Sequence, residues 1–327
     1  MNPFEQFSDR DQQETRAGFG DGVYEVASQN DQVVVLTADL GGSLKLGKFI
    51  KAFPHRFFQC GVAEANMMGI AAGLATAGKI PYTTTFANFS TGRVYDQIRQ
   101  SIAYSHKNVK ICASHAGLTL GEDGATHQML EDLGLMRMLP GMTVISPCDY
   151  NQTKAATIAI AAHQGPCYLR FGRPKWPNFT PADQRFEIGK AQVLVSGTDL
   201  TLLATGHMVW QAILAGRQLH DSGVSVELIN IHTLKPLDEA TILASVRKTG
   251  CVVTAEEHQK YGGLGERIAA LLAQQHPAPL RMVAVNDTFG ESGKPAELLK
   301  KYGLHSSDIV QAAGEVLAAA SRKAPVS

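Results

Sequence analysis

The chain has 327 residues, of which 44% are hydrophobic and 18% charged, with a formal net charge of zero. That length exceeds a single core of typical size and predicts two domains. The neutral balance supplies no basic field, so nucleic acid and charged membrane surfaces are excluded as partners.

The opening "MNPFEQFSDRDQQETR" is polar and charged and does not read as a signal peptide. The cysteines, Cys60, Cys112, Cys148, Cys167 and Cys251, stand singly without a C-x-x-C pair. This pattern fits a reducing, cytoplasmic setting and argues against a disulfide framework or a structural zinc.

Residues 32–40, 108–115 and 142–149 are apolar at nearly every position and read as strands buried on both faces of a parallel sheet. Each runs into a polar or glycine-rich turn ("ADLGGS", "SHAGLTLGEDG", "SPCD"), and ligands gather at such carboxyl ends in open α/β sheets. Between the first two, residues 57–78 ("FFQCGVAEANMMGIAAGLATAG") read as a buried helix that carries one carboxylate, Glu64. Its glycines, Glu64 and Asn66 rule out a membrane span. A carboxylate among Gly, Ala, Met and Ile, with no Lys or Arg within a turn, costs several kcal/mol if buried unpaired. Packing gives no reason to keep it.

After the proline-rich stretch 170–186, residues 199–206, 224–234, 250–258 and 280–286 again read as strands, interleaved with helices at 208–222 and 265–275. The predicted organisation is a first α/β domain over 1–175, a linker over 176–189 and a second, smaller α/β domain over 190–327. Two further motifs suggest phosphate or anion binding. "FGESGKPAELL" from Phe289 has Thr288 where a phosphate loop needs Gly and Pro295 where it needs Ser or Thr, so it reads as a turn opening the last helix. "GGLGERIAALLA" from Gly262 reads as a glycine turn before a helix, whose N-terminus suits an anion.

Several stretches together resemble the transketolase family. "FQCGVAEANMMGIAAGLA" is similar to its catalytic-glutamate segment and "TTTFANF" to the stretch that holds the aminopyrimidine ring of thiamine diphosphate. "SHAGLTLGEDGATHQMLEDLGLMRMLPGMTVISPCD" is similar to transketolase and to deoxyxylulose-phosphate synthase alike. "ADLGGS" and "ETR" lean toward transketolase, and the second half resembles its C-terminal domain. The resemblance implies a thiamine-diphosphate-binding fold, with a pyrimidine-binding domain followed by the C-terminal domain. The diphosphate-binding domain has no counterpart: "GDG" at 20–22 lacks a preceding strand, and no Asn-Asn pair follows it. The resemblance therefore implies the C-terminal subunit of a split transketolase. An N-terminal partner would supply the magnesium ligands, and the chain would self-associate into an α2β2 assembly.

Within the resemblance, Glu64 hydrogen-bonds N1′ of the pyrimidine, so that the 4′-amino group of the cofactor can take the thiazolium proton. Phe86 and Phe89 read as core by spacing alone; the resemblance implies that they stack on and flank the pyrimidine. The family's further tyrosine falls at Gly92 here, leaving Tyr95 or a partner residue to complete the pocket. Asp39 and Leu40 are implied to line the thiazolium region, Asp123 to read a substrate hydroxyl, and His127 to act on the donor ketose. Arg16, Ser43, His115 and Arg170 are implied to surround a sugar phosphate. The expected reaction is transfer of a two-carbon ketol unit between sugar phosphates. The rivals are the β subunit of a 2-oxo-acid dehydrogenase, a deoxyxylulose-phosphate synthase and a non-catalytic partner. Retention of Glu64, Asp123 and His127 speaks against the last.

Overall fold

The computed structural model describes residues 2–321 and is a mixed α/β protein built on two large sheets and one two-stranded antiparallel ribbon. The strands are β1 (Gln12–Glu14), β2 (Val33–Thr37), β3 (Phe57–Gln59), β4 (Ile80–Phe86), β5 (Lys110–Ser114), β6 (Thr143–Ile145), β7 (Cys167–Arg170) and β8 (Lys175–Pro177). They continue as β9 (Gln192–Val195), β10 (Leu200–Ala204), β11 (Val226–Asn230), β12 (Thr233–Lys235), β13 (Val252–Gln259) and β14 (Leu280–Val285).

The first sheet has the order β12-β6-β7-β5-β4-β2-β3 and is parallel except at β12. Strands β2, β5 and β6 are buried at every residue, which is why they read as unbroken apolar runs. The second sheet, β14-β13-β10-β11-β9, is parallel except at β9. Strand β12 comes from the second half of the chain yet completes the first sheet by pairing antiparallel with β6. The two halves are thus joined by backbone hydrogen bonds as well as by side chains.

The glycines at 18, 20 and 22 are a packing device. They lie buried in the helix Thr15–Gln29, which crosses the helix Tyr150–Ala162 so closely that a Cβ at Gly18 would lie 2.4 Å from the Tyr150 carbonyl oxygen. Within "GDG", Gly22 packs on the same helix at Lys154 and Thr157, and Gly20 on the backbone of the turn at Lys45. The seat at Gly262–Gly263 is filled from within: the Glu256 carboxylate accepts the Leu264 and Gly265 amides at 2.6 and 2.8 Å, at the start of the helix Leu264–Gln275. The turn at 289–294 opens the helix Pro295–Lys301, and the last described helix, Ser306–Ser321, follows it.

The helix Glu64–Thr76 departs from the expected all-round burial. Met67, Met68, Ala71 and Ala72 are buried, whereas Ala65, Asn66, Gly69, Ile70 and Gly73 are exposed. A Cβ at Gly69 or Gly73 would meet nothing within 4 Å. The low polarity that suggested burial thus belongs to a face this chain does not cover.

No helix among the described residues is long and apolar enough to cross a membrane.

Candidate active site

Parallel strands deliver their carboxyl ends to one edge of the first sheet, and the residues singled out in the sequence leave that edge. Asp39 follows β2, Glu64 follows β3, Phe86 ends β4, and His115 follows β5. Two of these turns hold non-glycine residues in left-handed backbone, Asp39 at φ 58° and His115 at φ 58°. Such conformations cost free energy and persist where the surroundings fix them, commonly at functional sites.

Glu64 is the first residue of its helix and only 5% exposed. The fold gives it a cation that its neighbours in sequence do not: Arg93 Nη1 lies 3.5 Å from Glu64 Oε2. The same guanidinium lies 4.2 Å over the Phe89 ring. Phe86 and Phe89 stack with ring centroids 5.7 Å apart and an interplanar angle of 17°. His115 stacks on Phe86 at 3.8 Å, and His127 meets Phe89 edge-on at 5.3 Å. These contacts bring Glu64, Arg93, Phe89, Phe86, His115 and His127 into one continuous cluster. A buried carboxylate beside flat apolar rings fits the aminopyrimidine half of thiamine diphosphate. Among the described residues there is no group of three His, Cys, Asp or Glu placed to hold a metal.

Tyr95 does not occupy the place of the missing aromatic at Gly92. Its hydroxyl donates to the Leu135 carbonyl at 3.2 Å and its ring packs on the core. The chain preceding it is irregular: a short turn Gly92–Val94 and a helical turn Tyr95–Gln97 lead into a π-helix, Ile98–Tyr104. Such wide turns often lie beside functional sites.

Asp39 is exposed, and its turn is held by Gln59, whose Oε1 accepts the Asp39 amide at 2.8 Å and the Gly61 amide at 3.2 Å. Leu40 is half-buried against the first-domain core. Asp123 is exposed in the loop after β5. His127 in the same loop has Nδ1 2.9 Å from Thr126 Oγ1, while the Thr126 carbonyl accepts Asn88 Nδ2 at 2.6 Å.

Three of the four expected phosphate residues come together. Arg16 Nη1 donates to the Ser43 carbonyl at 3.0 Å, and its Nη2 pairs with Glu14 at 2.7 Å; its Nε is buried without a partner. His115 is 2% exposed, with Nδ1 2.8 Å from Ser114 Oγ. Burial pushes its imidazole down to about 3, and the nearby Arg16 and Arg173 guanidiniums reinforce the shift.

Arg170 is not part of this group. It ends β7, in register with Ala113 on β5, and is 5% exposed. Its guanidinium is occupied by Asp132 at 2.8 Å, the Glu257 carbonyl at 2.8 Å and the Met129 carbonyl at 3.4 Å. The cation at this end of the cluster is Arg173, three residues on and beyond the strand. It is about one-third exposed and is held by the Leu120 carbonyl and the Glu122 carboxylate, each at 2.8 Å. Sequence reading passed over Arg173, Arg93 and Gln59. Arg170 and Arg173 share one short stretch, and strand pairing decides which of them faces out.

A cavity of about 420 Å³ between β14 and the helix Ser306–Ser321, lined by Lys260, Arg281, Tyr302 and Glu315 among others, shares no residue with the candidate set. The chemistry-bearing residues lie on an open edge instead.

Residues 11–178 match the family described as transketolase, pyrimidine binding domain, and residues 189–309 match the transketolase C-terminal domain. The 6-deoxy-6-sulfo-D-fructose transketolase subunit SqwH of Clostridium sp. is 45% identical over 92% of this chain and 94% of its own. An apulose-4-phosphate transketolase subunit of Phocaeicola vulgatus is 36% identical over 92% of this chain and 96% of its own. The transketolase of Mus musculus is also 36% identical over 91% of this chain, which spans 48% of the mouse protein. A solved structure described as a split gene transketolase, inactive beta4 tetramer, superposes with a TM-score of 0.89 at 46% identity, covering 94% of this chain and 99% of that one. The chain belongs to the transketolase family, of which it carries the pyrimidine-binding and C-terminal domains.

Proposed function

We propose that this chain is the C-terminal subunit of a two-chain transketolase. It would transfer a two-carbon ketol unit from a ketose phosphate to an aldose once a diphosphate-binding partner completes the site. The observation that carries the reading is the contact cluster of Glu64, Phe89, Phe86, His115 and His127 along one sheet edge. A non-catalytic partner has no use for that arrangement.

Thiamine diphosphate, when bound, supplies a nucleophilic carbon at its thiazolium ring. Glu64 holds a proton at N1′ of the aminopyrimidine. The rings of Phe86 and Phe89 orient the pyrimidine, and Asp39 and Leu40 border the thiazolium. His127 moves a proton at the donor ketose near its C1 hydroxyl and carbonyl, and Asp123 accepts from a substrate hydroxyl. Magnesium and the diphosphate are held by the partner, since hard oxygen ligands must surround one octahedral ion.

The substrate phosphate is read by Arg16, Ser43, His115 and Arg173. Arg173 takes the place first expected for Arg170. An anion there would meet two guanidiniums and the Arg16 Nε that is buried without a partner. Two relatives are named for a sulfo-sugar and for a sugar phosphate, both of which carry a strong acid group.

The exposed small-residue face of the helix Glu64–Thr76 packs on its own copy across a two-fold axis, giving an α2β2 assembly in the cytoplasm. The neighbour described as an inactive beta4 tetramer supports self-association without turnover when the partner is missing. The direct test is co-purification with a chain that carries the GDG and Asn-Asn motifs. Ketol transfer that requires both chains supports the reading, and transfer by this chain alone contradicts it.

A further inference from the structure

The turn at 289–295 has no role in the proposed chemistry, and neither does Glu257, a buried carboxylate on β13 of the second domain. Both bear on the loop at 117–128, which leaves β5 of the first domain and carries Asp123 and His127.

The root of this loop lies inside the other domain. Leu118 near its start and Leu130 just beyond its end belong to the second-domain core together with Leu202, Val253 and Leu298. Glu257 takes hold of the residue between Leu118 and Leu120 with both carboxylate oxygens. Its Oε1 accepts the Thr119 amide at 2.5 Å, and its Oε2 accepts Thr119 Oγ1 at 3.2 Å. Gly117, at φ 82°, passes so close that a Cβ there would lie 2.3 Å from the Glu257 carboxyl carbon. Arg170, itself paired with Asp132, donates to the Glu257 carbonyl at 2.8 Å and fixes the same strand from behind.

The tip of the loop is tied a second time. Ser292 Oγ donates to the Glu122 carbonyl at 2.6 Å. Gln128 Nε2 donates to the Glu291 carbonyl at 2.9 Å and to the Leu118 and Gly121 carbonyls within the loop. A Cβ at Gly290 would lie 1.9 Å from Gln128 Oε1, so the turn admits the glutamine only because that residue is glycine. Between these ties Asp123, Ala125 and Thr126 are exposed and His127 is half-exposed. The ties hold the frame of the loop and leave its polar residues facing out.

We infer that Glu257 and the turn at 289–295 are positioning elements: the second domain clamps the loop at 117–128 and thereby sets where Asp123 and His127 stand toward substrate. This rests on the reading of those two residues as substrate-facing groups. It gives the second domain a task in the reaction at a site built by the first.

The test combines hydrogen exchange on the full chain with kinetics of the enzyme assembled with its diphosphate-binding partner, for Ser292→Ala, Glu257→Ala and Glu257→Gln. Ser292→Ala removes one exposed tie and leaves the core intact. It should speed amide exchange across residues 121–127 by several-fold at unchanged melting temperature. Glu257→Ala should speed exchange of the Thr119 amide by about tenfold or more, whereas Glu257→Gln, which keeps an acceptor, should restore most of the protection. In the assembled enzyme, Ser292→Ala and Glu257→Ala should raise KM for the ketose, with Glu257→Gln near the parent value. Unchanged loop exchange in both Ser292→Ala and Glu257→Ala overturns the clamp. Asp123→Ala and His127→Ala are run alongside. If they impair turnover while the clamp variants leave it untouched, the positioning role is wrong. If they leave turnover untouched, the substrate reading of the loop is what fails.

Discussion

Arg93 and Glu64 stand 3.5 Å apart although they are far separated in sequence, and the arginine is half-exposed while the glutamate is buried. A partner of this kind lets a buried carboxylate stand without an uncompensated charge. One Glu64 oxygen faces this single, solvent-screened guanidinium, so the pair is loose enough for the carboxyl to meet another group.

Glu64→Gln preserves shape and should leave folding and self-association unchanged. In the assembled enzyme it should lower turnover on the order of a thousandfold, by removing the proton held at the pyrimidine. Steady-state kinetics with the partner present measure this. Parent-like turnover would remove Glu64 from the mechanism.

Arg170 and Arg173 should separate cleanly. Arg173→Ala should raise KM for a phosphorylated ketose by roughly ten- to a hundredfold over its effect on the unphosphorylated sugar, as expected for loss of one charge-assisted contact. Arg170→Ala leaves the Asp132 carboxylate buried without a cation, held only by the Tyr168 hydroxyl, and should instead destabilise the fold by about 3–5 kcal/mol. Paired KM measurements and denaturant unfolding distinguish the two. Phosphate selectivity lost in Arg170→Ala but kept in Arg173→Ala would reverse the assignment.

His115 is held down to about 3 by burial and by the Arg16 and Arg173 charges. An anion placed between those groups offsets the repulsion and raises the imidazole, so the enzyme should take up protons as the sugar phosphate binds, more so as pH falls toward 5. Calorimetry in buffers of different ionisation heat reads the uptake. Binding without buffer dependence would show that the anion does not approach His115.

Glu257 and His207 lie 4.0 Å apart, and both are neutral near pH 6, since burial pushes the carboxyl up to about 7 and the imidazole down to about 3. The groups facing this pair are Arg170, Asp132 and Thr119. A carboxyl that holds its proton more tightly folded than unfolded contributes stability that is complete below about pH 4.5. That stability declines as pH rises to about 7, at up to ~1.4 kcal/mol per pH unit. His207 works in the opposite sense and costs stability as pH falls below about 6.5. Subtracting the unfolding free energy of Glu257→Gln from that of the parent between pH 4.5 and 7 should isolate a difference that falls with pH. A flat difference would mean that Glu257 is ionised throughout.

Much of the architecture was legible because burial on both faces leaves a strand with unbroken apolar sequence, as in residues 32–40 and 108–115. Strand β12 was not: three residues, Thr233–Lys235, join a sheet formed by the other half of the chain, and pairing at that range leaves no local pattern. The helix at Glu64 was recognised, and the resemblance implied that the chain self-associates; composition alone does not show that the glycine face is exposed, because small residues look alike whether they wait for a partner or are already covered. In the site, the residue types were visible and their partners were not. Arg93 reaches Glu64, and Glu257 reaches Thr119, through tertiary contacts. That Arg170 is buried and Arg173 partly exposed follows from where β7 ends.

The proposed function requires this chain to hold half of a cofactor site. Calorimetric titration with thiamine diphosphate and magnesium, for the chain alone and for the chain mixed with its diphosphate-binding partner, tests that most directly. The chain alone should show no tight binding, and addition of the partner should give tight, magnesium-dependent binding together with ketol transfer. Tight cofactor binding and turnover by the isolated chain would contradict the proposed function.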